Sequence, residues 1–472
     1  MTTKMHGRIH QREQGVASEV AEAVLHKSRL SQASTSASSS LRAQVRAGVR
    51  MARLLLLCLP AAGAVGPPTP TPTPTRLGSS LFAPFFPPRE VPGAVGGPLT
   101  HLAFVASCNI DAAGLRTGNG SPAWALSHQP CRMSAPCLGT LLRAGAFLVD
   151  MAHLDELGLP LGGGNPHFGA LDNPAAPGRS VGGGASGAAV AVAVGHADFA
   201  VGSGTVGGLC VPASHCGLFA LRPTHGVVSL DGVCTLTPSL DVVGLIAKNA
   251  TVMLAAASTL LQVPPPRAPP RTAERSARAL VGTQGGVISV DLGAQLLAAV
   301  GEPTAAQSTD APSTGISAAG ALLRAIFAEE ASAIIAGEPP RLGAEAAPWA
   351  ASAPRLADRE RLRGALAEAL DTLLAAHEDS EDALAILCMP AAPPPTPLDE
   401  AARDSAYGER GFALSALASL TGCPQIVVPV GAYADEGSTL PLCVSFLARR
   451  GRDLTLVKAI QRLPDISAEI RG

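Results

Sequence analysis

Short apolar runs alternate with Gly/Pro-rich loops and helical stretches from about Leu99 onward. The segments THLAFVAS (100–107) and AGAFLVDM (144–151) are typical of buried strands, whereas the all-apolar segment 188–194 favours a buried helix. Further short apolar runs, each bounded by Pro, Gly or Asp, predict strands at 385–388, 425–430 and 442–447. This alternation predicts an α/β fold.

The remaining pattern predicts helices and surface loops. Residues 318–378 are rich in Ala, Leu and Glu with helical periodicity, which predicts a helical layer. Residues 263–275 and 303–315 are rich in Pro or Ser/Thr and are interpreted as surface excursions. The chain shows no evident internal repeat, including the 34-residue helical kind.

Composition narrows the classes of function. A chain of 472 residues with 47% hydrophobic and 15% charged residues can build a large core, either as one domain or as more. A net charge of −2 and an aromatic content of 3% argue against a nucleic-acid partner. The ten cysteines show no CxxC pair and no Cys/His cluster at zinc spacing, so we expect buried, reduced thiols, no metal and no cofactor.

The N-terminal region has the composition of a targeting segment. Residues 1–53 carry nine Lys or Arg against three Glu, and the apolar run 54–65, of twelve residues, is too short to span a membrane. A chain begun at Met51 would have a basic start, an apolar stretch and small residues at Ala62 and Ala64, as a secretory signal has. The PTPTPTPT spacer that follows cannot build a core.

These features predict an extension at 1–97 and a folded domain at 98–472. A signal followed by the Phe-bearing segment SSLFAPFFPPR resembles the two-part address of algae with complex plastids, so the prediction is a plastid location. The secretory pathway and the cytoplasm stay open as alternatives, and so does an untargeted, disordered extension.

Residues 182–187 read GGGASG and satisfy the G-x-G-x-x-G pattern of dinucleotide-binding loops. That site needs a preceding strand and an acidic residue about 20 positions later. Here the preceding stretch is the proline-broken loop NPAAPGRS, so the dinucleotide interpretation is rejected.

Residues 165–244, taken as a whole, resemble the amidase signature. The family frame runs as a GGSSSGSA segment, then G-T-D-T-G-G-S-[IV]-R-[IV]-P-A, CG, L-[KR]-P-T-x-G and P-S-x-D-x-[VIP]-G, and this chain follows it without a gap. The segments AILCMPAAPPP and GCPQIVVPVG resemble later strands of the family. The resemblance is to the plant-type group that contains indole-acetamide hydrolase and an amidase-like chloroplast import receptor. It implies a mixed β-sheet with helices on both sides.

The resemblance also implies a catalytic triad of a Ser nucleophile, a bridging Ser and a Lys base, and this chain has lost all three. The lysine position is Ser107, the bridging serine is Gly184 and the nucleophile is Gly208. The family separation of 24 positions between the two serines is kept, and the chain has no lysine between residues 28 and 247. A serine needs a neighbouring base, so a non-hydrolysing binding or scaffold protein is predicted.

Three further expectations follow from the resemblance. The backbone amides of Val206, Gly207 and Gly208 are expected to form an oxyanion-hole-like nest for a small amide or carboxylate ligand, with a protein partner as the alternative. The signature's Asp and Arg are replaced by Gly204 and Cys210, which removes a charged pair from the loop. Asp155 and Glu156 are expected to cap a helix.

Amide hydrolysis through substitute residues is the competing hypothesis. Ser186, Ser203 and Thr205 are the hydroxyls nearest the altered positions, and His196 or His225 would have to supply the base. Cys108 and Cys210 flank the same positions, but the sequence shows no cationic neighbour that would activate either thiol, so buried small residues are expected there.

Overall fold

A nine-stranded mixed sheet forms the centre of the computed structural model. The structure describes residues 90–159, 161–262, 279–280, 315–336, 359–376, 378, 384–398, 405–435 and 437–461. The strands are β1 (Ala103–Ser107), β2 (Phe147–Ala152), β3 (Phe199–Gly204), β4 (Phe219–Arg222), β5 (Val242–Ala247), β6 (Ala279–Leu280), β7 (Ile386–Pro390), β8 (Gln425–Asp435) and β9 (Ser438–Leu447).

The strand order is β2-β1-β3-β5-β4-β8-β9-β7-β6. Strand β1 runs parallel to both β2 and β3, and β6 runs parallel to β7. The other neighbouring pairs are antiparallel: β3–β5, β5–β4, β4–β8, β8–β9 and β9–β7. The sheet is therefore mixed, as the family resemblance implies.

Helices cover both faces of this sheet. The helices in the described residues are α1 (Pro122–Ser127), α2 (Pro136–Arg143), α3 (Ser186–Ala193), α4 (Cys210–His215), α5 (Ala250–Leu260), α6 (Gly315–Ala336), α7 (Arg359–Ala375), α8 (Ser405–Thr421) and α9 (Asp453–Gln461). A 3₁₀ turn spans Glu156–Gly158.

The strands are apolar on both faces because each face meets a helical layer. In β5, Leu245 packs in a cluster with residues of α2, α5 and α9, whereas the next residue, Ile246, packs in a cluster with α3 and α4. Successive side chains of a strand point to opposite faces, so one continuous apolar run serves two cores. The predicted α/β/α architecture is confirmed.

The element predictions are confirmed with small changes of boundary. The predicted helix at 188–194 is α3, in which every residue from Ser186 to Val192 is buried. The strands predicted at 385–388, 425–430 and 442–447 are β7, β8 and β9. The helical layer predicted over 318–378 contains α6 and α7, which pack with α8 around Phe327 and Phe412.

The N-terminal predictions lie largely outside the described residues. Residues 1–89, with the signal from Met51 and the plastid address, belong to that part, as do 263–275 and 303–314. Within the predicted extension, Val91 exchanges two backbone hydrogen bonds with Leu148 of β2, at 2.9 and 3.0 Å. The division at residue 97 stays a prediction. In the described part of the chain, no helix has the length and apolarity to cross a membrane.

Candidate functional site

The three positions that are predicted to correspond to the family triad lie close together at one end of the sheet. Ser107 is the last residue of β1, Gly184 precedes α3, and Gly208 lies in the loop between β3 and α4. A β-carbon added to Gly184 would lie 2.5 Å from the α-carbon of Gly208. A β-carbon on Gly202 of β3 would lie 3.1 Å from the Ser107 hydroxyl and 3.2 Å from the Ala185 β-carbon.

The space that a bridging serine would occupy is filled by backbone. Gly184 has a φ of +92°, a left-handed conformation that side-chain-bearing residues rarely adopt. The amide of the next residue, Ala185, donates to the Gly208 carbonyl at 2.8 Å. Ser107 is fully buried, and its hydroxyl has no hydrogen-bond partner. The local structure is therefore built around the glycines.

A small cavity lies beside these positions. Its volume is about 20 Å³, which holds one water-sized occupant. Apolar residues from the 3₁₀ turn and from α6 close one side, and polar residues from β3 and the loops line the other. The lining residues are Asn109, Leu154, Leu157, Gly158, Leu159, Gly184, Ser203, Thr205, Val206, Gly208, Cys234, Leu236, Asp241 and Phe327.

The lysines of the described residues stand away from this cavity. Lys248 pairs with Asp198 at the opposite end of β3, and Lys458 is on the exposed surface of α9. His225 donates to the Pro238 carbonyl at 3.0 Å, and His196 is exposed. No lysine, arginine or histidine of the described chain is among the lining residues.

Two side-chain hydrogen bonds form the polar wall. Asn109 donates from Nδ2 to the Ser203 hydroxyl at 2.7 Å. The Thr205 hydroxyl donates to Asp241 Oδ1. The second carboxylate oxygen of Asp241 accepts from the amides of Leu236 and Thr237 at 2.8 and 2.9 Å. Burial raises the pKa of Asp241, and the Thr205 hydroxyl bond opposes that rise.

A buried arginine that the sequence analysis did not single out holds the loop after β3. Arg222 of β4 donates to the carbonyls of Gly204 at 2.7 Å, Thr205 at 3.1 Å and Leu240 at 2.6 Å. Burial lowers the pKa of Arg222 to about 10, so the guanidinium stays charged at neutral pH. In the sequence, Arg222 belongs to the L-R-P-T motif and Asp241 to the P-S-L-D motif. These two motifs could have identified both residues.

The remaining hydroxyl and thiol candidates are buried and are not activated. Burial raises the pKa of Cys210 more strongly than Arg222 lowers it. The Ser186 hydroxyl is buried without a hydrogen-bond partner. Burial raises the pKa of Cys108 to about 11 and that of Cys210 to about 12. Both thiols are therefore protonated at neutral pH, and a protonated thiol is a poor nucleophile.

The predicted backbone nest is only partly at the cavity. Val206 and Gly208 line it, whereas Gly207, with a φ of +116°, faces Ser415, whose hydroxyl would lie 2.5 Å from an added β-carbon. An oxyanion-hole role for these amides stays a prediction.

The expectation that Asp155 and Glu156 cap a helix is wrong for their side chains. Asp155 occupies the N-cap position of the 3₁₀ turn but makes no capping bond; its Oδ1 accepts from the Gly164 amide at 3.1 Å. Glu156 pairs with His167 at 2.8 Å. The two carboxylates instead anchor the loop that follows, because the turn is too short to offer a row of free amides.

Comparisons with known proteins agree with this fold. A family model named Amidase matches residues 90–284. Amidase 1 of Oryza sativa subsp. japonica is 31% identical over 402 residues, which cover 78% of this chain and 90% of that protein. A mixed sheet between two helical layers, with a glycine-rich loop at its end, defines an α/β/α protein. The chain belongs to the amidase signature family.

Two further similarities place the chain among its relatives. Outer envelope protein 64, chloroplastic, of Arabidopsis thaliana is 29% identical over 417 residues, covering 80% of this chain and 68% of that protein. A solved structure described as a crystal structure of amidase superposes with a TM-score of 0.59 and 22% identity, covering 79% of this chain and 85% of that one. The structural similarity supports the fold alone. By its name, the Arabidopsis thaliana relative is a protein of the chloroplast outer envelope.

Proposed function

We propose that this protein has an amidase fold that does not hydrolyse amides and that acts as a binding or scaffold module. The observation that carries the proposal is the contact between Gly184 and Gly208, which stand at the positions of the two family serines. The position of the family's lysine base holds Ser107 and therefore carries no amine.

The chemistry of the triad gives this observation its weight. A serine hydroxyl attacks a carbonyl only when a neighbouring base accepts its proton. Loss of a nucleophile or base costs about four to six orders of magnitude in rate, and the residues act as one unit. A cavity lined by neither a lysine nor a histidine among the described residues offers no replacement base of the usual kind.

One observation favours hydrolysis through substitute residues as a second candidate function. Thr205 is one of the hydroxyls that the sequence singles out, and it donates to the carboxylate of Asp241 in the cavity wall. A carboxylate can act as a general base. However, Asp241 also accepts two backbone amides, and hydrogen bonds to the charged form make it a weaker base.

Turnover of primary amides tests both functions. The parent protein, Thr205→Val and Ser203→Ala are assayed for ammonia release from a panel of small aliphatic and aromatic primary amides. The proposal expects no turnover above buffer in any of the three. Turnover by the parent that Thr205→Val abolishes and Ser203→Ala retains would establish the second function instead.

A gain-of-function variant tests the register of the site. Ser107→Lys, Gly184→Ser and Gly208→Ser together restore the three family residues. Amidase activity in the triple variant but in none of the double variants would support both the register and the loss of hydrolysis in the parent. Since Gly184 has no space for a side chain, folding of each variant is checked by circular dichroism before the assay.

The location proposed for this module is the plastid. The support is the composition of residues 1–97 and the names of chloroplast-envelope relatives. Fluorescent fusions of 1–97 and 51–97 in an alga with complex plastids test this. Plastid import of at least one of them is expected, and retention of both in the cytoplasm would contradict the address.

A further inference from the structure

Residues 90–97, which the sequence assigns to the N-terminal extension, lie along an edge of the sheet. Strand β2 is the last strand on its side of the sheet that the structure describes. Val91 forms an antiparallel bridge with Leu148 of β2, where it donates to the Leu148 carbonyl at 2.9 Å and accepts from the Leu148 amide at 3.0 Å. Val91 also packs against the apolar core cluster that contains Leu148. The segment therefore begins as a partner of the edge strand.

The segment stays on the folded domain beyond this bridge. The Ala94 amide donates to the Leu142 carbonyl at 2.8 Å, and the Leu99 amide donates to the Ala144 carbonyl at 2.9 Å. Leu99 is fully buried, whereas Val95 between these two contacts is fully exposed. Backbone hydrogen bonds thus hold the segment on both sides of one exposed bend.

Two glycines allow the segment to approach the turn that precedes β2. A β-carbon on Gly93 would lie 2.3 Å from the Ala146 carbonyl oxygen, and one on Gly97 would lie 1.9 Å from the Ala144 carbonyl oxygen. Neither residue has a positive φ, so only the lack of space requires glycine there. Gly96 is the opposite case, since it has a φ of +83° and no atom within 4 Å of its β-carbon position. A segment that served only as an address would carry no such steric constraint.

The edge of a sheet is a surface on which another chain can pair, because its outer amides and carbonyls lack partners. Val91 takes both the amide and the carbonyl of Leu148. Pro92 follows directly and has no amide to donate, so the segment does not itself extend the sheet further. Further along β2, the Met151 amide donates to Asp150 Oδ1 at 2.8 Å. A second chain that paired with this edge would have to displace Val91.

We propose that residues 90–97 belong to the folded domain as a cover for the edge of β2, and that this cover prevents β2 from pairing with the β2 edge of a second copy of the chain. Two identical edges can pair antiparallel about a two-fold axis, which makes a second copy the partner that this surface fits. A protease that removes the N-terminal extension would accordingly have to cut before Glu90. The proposal goes beyond the binding role proposed above and holds whether or not the protein hydrolyses amides.

Hydrogen exchange of the full chain tests the position of the cover. The amides of Val91 and Ala94 are expected to exchange at least about tenfold more slowly than the amide of Val95, because only the first two are bonded to the domain. Gly93→Val is expected to remove this protection, whereas Val95→Ser, at a fully exposed position, keeps it. Equal exchange at Val91, Ala94 and Val95 in the parent would overturn the proposal.

Self-association of the full chain tests the protection of the edge. Gly93→Val with Gly97→Val is expected to shift the protein towards a dimer in sedimentation velocity over a concentration series, and Val95→Ser is expected to sediment as the parent does. Adding Val149→Lys to the double variant should reverse the shift, because it places like charges on the two β2 edges. Circular dichroism checks folding, and if the double variant does not fold, Val91→Pro, which removes one donor of the bridge, replaces it. A folded variant that sediments as the parent does refutes the protection, and so does a dimer that Val149→Lys leaves unchanged.

Discussion

The α-carbon of Gly208 lies 2.5 Å from the position that a β-carbon on Gly184 would take. The contact is tightened by the Ala185 amide, which donates to the Gly208 carbonyl at 2.8 Å. Two loops that carry the serines of the triad in the family are here joined through backbone atoms. The substitutions at 184 and 208 are therefore compatible with each other, and each removes a side chain from the same contact.

A matched pair of alanine substitutions tests this contact. Gly184→Ala is expected to lower the free energy of unfolding by about 2–3 kcal/mol, because the new methyl group meets backbone and the residue is held at positive φ. Gly208→Ala is expected to change it by less than about 1 kcal/mol, since its β-carbon would meet atoms at 3.5 and 3.7 Å, an ordinary contact distance. Urea unfolding measures both. Equal losses would contradict the asymmetry.

Replacing Ser107 is expected to raise the free energy of unfolding, whereas Gly184→Ala is expected to lower it. Its hydroxyl is fully buried without a partner, so Ser107→Ala is expected to raise the free energy of unfolding by up to about 1 kcal/mol. Ser445 is the control, because it is equally buried and accepts from Gln425 Nε2 at 2.8 Å. Ser445→Ala should lower the free energy of unfolding by about 1 kcal/mol. A loss in Ser107→Ala would show that its hydroxyl is bonded after all.

Arg222 is expected to be the main electrostatic support of the loop. Arg222→Met leaves the buried carbonyls of Gly204, Thr205 and Leu240 without these donors, so a loss of about 3 kcal/mol or more is expected in chemical denaturation. Arg222→Lys keeps the charge but cannot reach three carbonyls at once, and should lie between the parent and Arg222→Met. A loss below about 1 kcal/mol in Arg222→Met would rule out this role.

His215 predicts how stability depends on pH. Burial lowers its pKa from 6.5 to about 4 in the folded protein. The unfolded chain thus takes up a proton below pH 6.5 that the folded chain takes up only near pH 4. Stability from this group is fully present above pH 6.5 and decreases by about 3 kcal/mol as the pH falls to 4.

The variant His215→Gln tests that dependence, because an amide can still donate to the Pro393 carbonyl. Its free energy of unfolding between pH 6.5 and 4 is expected to fall less steeply than that of the parent. His225→Gln is the comparison, since the half-buried His225 also has a pKa lowered by burial and should account for a smaller part. Parallel curves for the parent and His215→Gln would contradict the prediction.

Several features of this protein were determined by the sequence alone. The period of apolar residues predicts strands and helices, because local backbone geometry dictates which residues share a face. The proposed loss of the triad likewise rests on residue types, since Ser107, Gly184 and Gly208 carry no amine and no paired alcohols. The α/β/α architecture followed from the resemblance of residues 165–244 to a known frame.

Other features were decided only in three dimensions. Asn109 forms a hydrogen bond with Ser203, 94 positions away in the sequence, and Thr205 forms one with Asp241, 36 positions away. Arg222 of β4 donates to the carbonyl of Gly204 at the end of β3, a contact that its motif did not predict. Such pairings depend on how strands and loops pack, and packing is set by shape and burial over the whole core rather than by local periodicity. The size of the cavity was also decided only by this packing.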